Sequence, residues 1–299
     1  MHVGITGASG LIGTALTSHL LANDHEVTPI VRRAPAAGEI GWDPSAGRLD
    51  PGDLEPLDAV VHLAGAGIGD RRWTDDYKRT LLDSRVDGTT LLSDTMAQLG
   101  DHGPGVLLSG SAIGIYGDRG DEVLTEQSDP GTGFLADICR AWEGATAAAT
   151  AAGTRVVHLR TGIVLSREGG ALKRMLPWAK LGARGKFGSG EQWMSWISID
   201  DEVRGIEYLL TADVAGPVNL TAPEPVTNAE FADTLDRARG RSTFLPVPKF
   251  GPKILYGGEL AEALLFEGQR VEPQVLLAEP DFAFSHPDLA SALTAVLDR

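Results

Sequence analysis

Apolar and polar residues alternate along the first half of the chain in blocks that predict strands and helices in turn. Continuous apolar runs predict buried strands before Thr6 and at residues 26–31, 59–63, 105–109 and 154–159. The stretches between them predict helices at residues 11–23, 77–99 and 134–152. Strands that are apolar throughout are buried on both faces, as in a parallel sheet with helices on either side. We therefore predict an α/β fold with a doubly wound parallel sheet.

This rhythm changes after residue 165. A helix is predicted from residue 169 to about 181, followed by a stretch rich in glycine and aromatic residues up to 197. Ser198 has the short polar side chain of a helix N-cap, and acidic residues follow it. We predict one domain at 1–165, to which 198–222 return, and a smaller, partly interleaved C-terminal α+β lobe at 166–197 and 223–299. The cleft between them is the expected ligand site.

Three glycines between the first strand and the first helix give the strongest chemical signal. Residues 6–13 read T-G-x-x-G-x-x-G. Such glycines allow a sharp turn and let backbone N–H groups approach a pyrophosphate at the helix N-terminus. Strand, loop and helix in this order predict an NAD(P)-binding Rossmann domain, and a glycine-rich turn without a ligand is the alternative. The residues expected to contact the cofactor here are Gly7, Ser9, Gly10, Leu11, Ile12 and Gly13.

The end of the second predicted strand bears on the choice of dinucleotide. NAD binders usually place an acidic residue there for the ribose hydroxyls, whereas an arginine meets the 2′-phosphate of NADP. Here the strand ends in Arg32 and Arg33, without an acid at its tip. We therefore predict that NADP(H) is preferred over NAD(H). The alternative is that both arginines merely begin a solvated loop.

Composition narrows the class of protein further. The 299 residues carry a net charge of −15, which argues against a nonspecific nucleic-acid binder. Cys139 is the single cysteine, so an intrachain disulfide is excluded. The seven histidines are scattered without metal-binding spacing, so no metal site is expected. No apolar run approaches the ~20 residues of a membrane span, and the chain begins directly with a strand, so we expect a cytoplasmic protein without membrane contact.

Four motifs resemble the short-chain dehydrogenase/reductase superfamily, in its extended branch of sugar-nucleotide epimerases and dehydratases. They cover about residues 1–222 and lie at 6–13, 62–65 (H-L-A-G), 86–89 (V-D-G-T) and 109–117 (S-G-S-A-I-G-I-Y-G). A narrower group is similar over the whole chain: the atypical epimerase-family proteins with a C-terminal domain of unknown function, some labelled cell-division inhibitors. The residues that carry this likeness are Ser84-Arg85, 134–143, 196–201, 258–265 and 268–270.

The resemblance extends the predicted cofactor site beyond the glycine loop. It implies contacts from the loop after the strand at 59–63, from the strand at 105–109 and from the segment after residue 161. In the extended relatives an asparagine often stands where this chain has Ile163. The added cofactor-site residues are Leu63, Ala64, Gly65, Arg85, Ser109, Gly162 and Ile163.

The superfamily's catalytic Tyr-x-x-x-Lys pair is missing from the sequence. Its tyrosine is the acid/base and its lysine lowers the phenol pKa, because an isolated phenol with a pKa of ~10 is a poor base at neutral pH. None of the four tyrosines has a lysine four residues later. Alignment of the helix puts Leu135 in the tyrosine's place and Cys139 in the lysine's, and Ala112 replaces the usual serine or threonine.

Substitutes for this machinery are predicted at Ser111 and Tyr116. Each has a plainer interpretation: Ser111 satisfies loop backbone groups, and Tyr116 forms a wall of the site. Arg85 replaces the usual asparagine before V-x-G-T and either places a cation in the cleft or pairs with Asp83 or Asp87 on its own helix.

The second lobe offers substrate contacts in its glycine- and aromatic-rich stretch. Lys186 is predicted to meet a phosphate of the substrate and Trp193 to stack on a flat ring. Trp196 is expected to pack in the core of the lobe.

Two functions stay open at this stage. The first is an NADP(H)-binding, atypical enzyme of the superfamily with oxidoreductase or epimerase-like activity on an unidentified small molecule in the cleft. The second is a non-catalytic dinucleotide sensor that acts through a protein partner, in cell division or envelope control. A homodimer is among the open oligomeric states.

Overall fold

A parallel sheet of eight strands forms the centre of the molecule. The computed structural model describes residues 1–173, 175, 183–240, 245–247 and 257–298. Along the sheet the strands are ordered β13-β8-β6-β5-β1-β2-β3-β4, and only the β3–β4 pair is antiparallel. In chain order these strands are β1 His2–Thr6, β2 Glu26–Val31, β3 Ile40–Asp43, β4 Arg48–Leu49, β5 Ala59–His62, β6 Val106–Ala112, β8 Arg155–Thr161 and β13 Gly216–Leu220.

Shorter strands form two-stranded pairs outside this sheet: β7 with β16, β9 with β12, β10 with β15 and β11 with β14. Their bounds are β7 Val123–Leu124, β9 Ile163–Leu165, β10 Ala183–Phe187, β11 Trp193–Met194, β12 Trp196–Ser198, β14 Val226–Thr227, β15 Leu245–Val247 and β16 Arg270–Val271. The α-helices are α1 Leu11–Ala22, α2 Pro51–Leu54, α3 Asp75–Leu99, α4 Phe134–Gly144, α5 Ala147–Ala151, α6 Ile199–Thr211, α7 Asn228–Ala238, α8 Gly258–Ala261, α9 Gln274–Ala278 and α10 Leu289–Leu297.

Helices cover both faces of the sheet, as the apolar strands require. On one face Leu16 and Leu20 of α1 pack with Val203 and Ile206 of α6 against the strands. On the other face Leu92 of α3 lies among the buried side chains. The predicted doubly wound α/β fold is therefore confirmed.

A second apolar cluster belongs to the C-terminal part of the chain. Trp196, Phe231 and Leu293 are fully buried in it. This confirms that Trp196 packs in a core. The division into two interleaved domains at the stated boundaries stays a prediction.

Most predicted elements match the observed ones, and the exceptions have local causes. The helix expected over 134–152 is two helices, α4 and α5. At the break, the Thr146 hydroxyl donates to the Glu143 carbonyl at 2.8 Å and lies 2.9 Å from His158 Nε2. The strands β3 and β4 were not predicted, because Gly41, Asp43 and Arg48 interrupt their few apolar residues. The helix predicted from residue 169 lies largely outside the described residues.

Thr6 and His62 join the ends of two neighbouring strands. Thr6 Oγ1 accepts from the backbone N–H groups of Leu63 and Ala64 at 3.1 and 3.2 Å, and it lies 2.7 Å from His62 Nδ1. Since the oxygen already accepts two bonds, its own proton is donated to Nδ1, so His62 is neutral with its proton on Nε2. Burial, together with the charge of Arg85, lowers the pKa of His62 to about 3.

This shift predicts how stability depends on pH. In the unfolded chain His62 has its usual pKa of 6.5, so it binds a proton below that pH. In the folded state the same side chain stays neutral down to about pH 3. Folding is therefore weakened as the pH falls. Between pH 7 and pH 5 the free energy of unfolding should drop by about 2 kcal/mol more in the wild type than in His62→Gln, measured by urea unfolding.

His102→Gln is the matched control, because His102 is exposed. It should keep the pH dependence of the wild type. Parallel pH profiles for the wild type and His62→Gln would contradict the assignment of a buried neutral histidine.

Candidate dinucleotide-binding site

Close backbone contacts shape the glycine loop between β1 and α1. A Cβ atom at Gly13 would lie 2.2 Å from the carbonyl oxygen of Gly7, and one at Gly7 would lie 2.8 Å from the carbonyl carbon of Leu63. Gly7 also has a φ of 69°, which favours glycine. Both positions therefore exclude any side chain.

The first turn of α1 keeps its backbone N–H groups available. Its N-cap is Gly10, which has no side chain to accept a hydrogen bond, and the first turn contains no acidic residue. An uncapped helix N-terminus attracts anions through its free N–H groups and the helix dipole. Ser9 and Gly10 are exposed beside it. The predicted residues of the loop thus lie together around an uncapped helix N-terminus.

The loop after β5, residues 63–65, lies next to the glycine loop, and the two together form the candidate cofactor bed. Leu63 and Ala64 are held by Thr6, and Gly65 lies against Arg85, whose Cζ would be 3.3 Å from a Cβ at Gly65. The structure therefore brings Leu63, Ala64 and Gly65 next to the glycine loop. Thr6 and His62, which hold them, were not among the predicted site residues. The sequence signal for them was the position of Thr6 and His62 at the ends of two apolar strands.

The two arginines at the end of β2 differ in their surroundings. Arg33 donates to both carboxylate oxygens of Glu39, at 2.7 and 2.5 Å. The hydrogen bonds and charge of this pair raise the pKa of Arg33 and lower that of Glu39. Arg32 is exposed and has no partner among the residues described. Glu39, which precedes β3, therefore neutralises Arg33, a pairing that the sequence pattern did not indicate because the two residues are six positions apart.

Arg85 extends from α3 into the space behind Gly65. Its Nη1 donates to the carbonyl oxygens of Ala66 and Leu81 at 3.1 and 3.0 Å. Its guanidinium lies over the Trp142 ring at 4.9 Å. It has no ion pair with Asp83, Asp87 or another acid in the described part of the chain, so the alternative of a surface ion pair is wrong.

Ser111 and Tyr116 belong to one buried polar network. Ser111 Oγ donates to Glu143 Oε1 at 2.7 Å, and Arg160 donates to both oxygens of Glu143 at 2.9 Å each. Arg160 also donates to the Tyr116 hydroxyl at 3.0 Å, which in turn donates to Asn219 Oδ1 at 2.7 Å. The network connects the two predicted residues through Glu143 and Arg160, which sequence reasoning missed.

Ser111 and Tyr116 differ in how far they are buried. Tyr116 has no exposed surface, whereas Ser111 retains 6%. Burial raises the pKa of Tyr116 despite the neighbouring Arg160. For Glu143, burial favours the neutral form, but the hydrogen bonds and charge of Arg160 outweigh it and lower the pKa. The carboxylate is therefore ionised and fixed, while the phenol is a poor acid.

Three other predicted positions are enclosed by packing. Ser109 is fully buried, and a Cβ at Gly162 would lie 2.6 Å from the Ser195 carbonyl oxygen. The Ile163 backbone N–H donates to that same oxygen at 2.8 Å.

Cys139 is buried as expected, and burial with the charge of Glu143 raises its pKa to about 11.

The predicted substrate residues are only partly described. Lys186 lies in β10, but its side chain lies outside the described residues. Trp193 donates from Nε1 to Asp121 Oδ1 at 2.8 Å, and the guanidinium of Arg270 lies over its ring at 4.6 Å. One face of this indole is therefore already covered.

Within the described ranges, no helix combines the length and apolar character needed to cross a membrane. The same residues hold no group of three histidine, cysteine or acidic side chains suited to a metal ion.

Two family models match the chain. One, the NAD dependent epimerase/dehydratase family, matches residues 3–221, and the other, a domain of unknown function (DUF1731), matches residues 247–296. Among similar proteins, Epimerase family protein Mb2239 of Mycobacterium bovis is 46% identical over 97% of this chain and 96% of its own length. The human Epimerase family protein SDR39U1 is 37% identical over 99% of this chain and 100% of its own.

Solved structures agree with these matches. The crystal structure of human epimerase family protein SDR39U1 (isoform2) with NADPH superposes with a TM-score of 0.89 at 35% identity, covering 100% of this chain and 99% of the other. A UDP-N-acetylglucosamine 4-epimerase from Bacillus cereus has a TM-score of 0.74 at 16% identity, covers 99% and 97%, and shows the fold alone. The chain therefore belongs to the NAD dependent epimerase/dehydratase family, among the epimerase family proteins that carry this C-terminal domain.

Proposed function

We propose that this protein binds NADP(H) between the glycine loop and the loop after β5 and catalyses a redox or epimerase-like reaction on a small molecule. The observation that carries the proposal is the uncapped N-terminus of α1 behind two glycines, Gly7 and Gly13, that leave no room for side chains. Such a cradle fits a pyrophosphate. The similar human protein whose crystal structure is described with NADPH supports the same assignment.

Different residues of the chain would contact different parts of the cofactor. Backbone groups of residues 7–13 would hold the pyrophosphate, and Leu63, Ala64 and Gly65 would line the bed toward its nicotinamide end. Once bound, the dinucleotide supplies hydride transfer. Ser109, Gly162 and Ile163 stay predicted as the surrounding wall.

A preference for NADP(H) rests on Arg32. Arg32 directly follows β2, the strand that pairs with β1. It is exposed and has no partner among the described residues, so its guanidinium is available to a 2′-phosphate. Arg33 is committed to Glu39. A 2′-phosphate would have to compete with that carboxylate for Arg33, and so Arg32 contributes more to the preference.

Ser111 is the proposed catalytic hydroxyl. It is the last residue but one of β6 and retains some exposure, and its own proton is directed to Glu143. A substrate hydroxyl or water would therefore be oriented as a donor to Ser111 Oγ. Tyr116 is retained in the proposal as a positioning residue, because its hydroxyl reaches only Arg160 and Asn219.

A second candidate, a non-catalytic dinucleotide sensor acting through a protein partner, is favoured by one specific observation. Tyr116, the tyrosine predicted to act as acid/base, is fully enclosed. The buried thiol of Cys139 occupies the place of the lysine expected from the resemblance. A sensor would bind NADP(H) without turning over any substrate.

Substitution of Arg32 tests the cofactor preference. Arg32→Gln should weaken NADPH binding about tenfold, the worth of one charge-assisted contact, and leave NADH binding unchanged. Arg33→Gln should have a smaller effect on NADPH. The dissociation constants are measured by energy transfer from tryptophan to the reduced nicotinamide. Arg48→Gln is the control, because Arg48 is an exposed arginine paired with Asp43; an equal loss of NADH and NADPH affinity in Arg32→Gln would refute the preference.

Substitution of Ser111 tests catalysis. With a panel of alcohols, NADP+ reduction by Ser111→Ala should show a kcat about a hundredfold below that of the wild type, since the hydroxyl that accepts the substrate proton and passes its own to Glu143 is lost. Tyr116→Phe should reduce kcat less, because Tyr116 acts through Arg160. Ser45→Ala, at an exposed serine, is the control. Unchanged turnover in Ser111→Ala would remove Ser111 from the mechanism, and NADPH binding without turnover of any panel member would favour the sensor.

A further inference from the structure

Arg85 leaves one edge of its guanidinium without a hydrogen-bond partner among the described residues. Nη1 donates to the carbonyl oxygens of Ala66 and Leu81, which occupies that nitrogen fully. Nε and Nη2 have no partner among the described residues, and neither nitrogen is closed off from solvent. Two parallel N–H donors therefore remain available on one side of the group.

Arg160 shows what this edge binds within the same protein. Its Nε and Nη2 donate to the two oxygens of Glu143, each at 2.9 Å. A guanidinium edge of this kind matches the spacing of a carboxylate, which accepts both bonds in parallel. Arg85 presents the same pair of donors without the carboxylate.

The surroundings fix Arg85 in place. The Trp142 ring lies 4.9 Å from its Cζ, and Gly65 approaches so closely that an added Cβ would lie 3.3 Å from Cζ. Ser84, its neighbour on α3, accepts from the Ala66 N–H at 3.0 Å. The guanidinium is already held by a ring, by the neighbouring backbone and by two carbonyl oxygens. It therefore loses little further conformational entropy when a ligand binds.

Its charge is not neutralised by the protein. The chain has 41 acidic and 26 basic residues, yet no described acid pairs with Arg85. Asp83 and Asp87 on the same helix are exposed. The positive charge acts on the interior, because it contributes to the lowered pKa of buried His62. A partly buried cation without an anion is unfavourable, and an anionic ligand would relieve that cost.

We propose that Arg85 is a carboxylate-binding subsite, so that the substrate carries a carboxylate that docks on Nε and Nη2. The subsite rests on the proposed function, because it gives a substrate class to the same cleft.

Arginine Nε–H resonances in ¹H–¹⁵N spectra of the full chain test this directly. The probe is oxamate, with uncharged oxamide as its counterpart, each titrated with and without NADPH. The Arg85 resonance is assigned by its loss in Arg85→Lys. It should shift and saturate with oxamate and stay in place with oxamide. A resonance that oxamate leaves in place, in both the presence and the absence of NADPH, overturns the subsite.

Variants give a second, independent readout. The indole N–H resonance of Trp142 reports oxamate binding next to Arg85. Arg85→Gln should raise the half-saturating oxamate concentration at least about tenfold, the loss of one charge-assisted pair. Arg79→Gln, at an exposed arginine of the same helix, should leave it unchanged. Should Arg85→Gln not fold, Arg85→Lys keeps the charge without the paired donors and should also weaken binding; equal binding in the tested variant and the wild type overturns the proposal.

NADPH titration of the same samples separates this proposal from the proposed function. Oxamate binding at Arg85 in a protein that does not bind NADPH would remove the proposed function and support the subsite. NADPH binding without any oxamate response would overturn the subsite and leave the proposed function in place.

Discussion

Contact between two backbone loops is the constraint on which the candidate site depends. Thr6 and His62 are partners in register on the parallel strands β1 and β5, so both chains leave the sheet at the same edge. Gly7 then lies directly against the carbonyl of Leu63, where even a methyl group would not fit. The Thr6 hydroxyl completes the contact by accepting from both following N–H groups. The two loops are therefore held together by contacts within the protein itself.

Two arginines show how the same side chain serves structure and function in this fold. Arg160 is buried, and Glu143, Tyr116 and the strands around them depend on its hydrogen bonds. Breaking such a buried pair leaves an uncompensated charge and is strongly destabilising. Arg85 uses one nitrogen to hold a loop and keeps the other two donors for a ligand. Paired donors without a carboxylate distinguish a binding group from a structural one.

Local pattern was enough to predict much of the fold and part of the site. The strands at 26–31 and 59–62, and the cap at Ser198, follow from apolar runs and a short polar side chain. The glycine loop was predictable because its residues are adjacent in sequence. The alternative pairing of Arg85 with Asp83 or Asp87 was also a local expectation, and it failed because the side chain turns inward to the carbonyls of Ala66 and Leu81.

The remaining features depend on residues that meet only after folding. Glu39 reaches Arg33 across a turn, and Arg160 on β8 reaches Glu143 on α4. Tyr116 is enclosed beside Asn219, which is 103 residues away in the chain. No period or motif reports such pairs. For that reason the sequence predicted which loops lie together better than it predicted how the polar residues around them are paired.

Hydrogen exchange with and without NADPH tests the central claim most directly. Backbone amides at residues 7–13 and at residues 63–65 should exchange more slowly when NADPH is present, because the ligand would take up the free N–H groups of the first turn of α1 and cover the adjoining loop. Protection of both loops together supports a dinucleotide bed held between them. Unchanged exchange in both loops at saturating NADPH, or protection confined to other parts of the chain, would contradict the account.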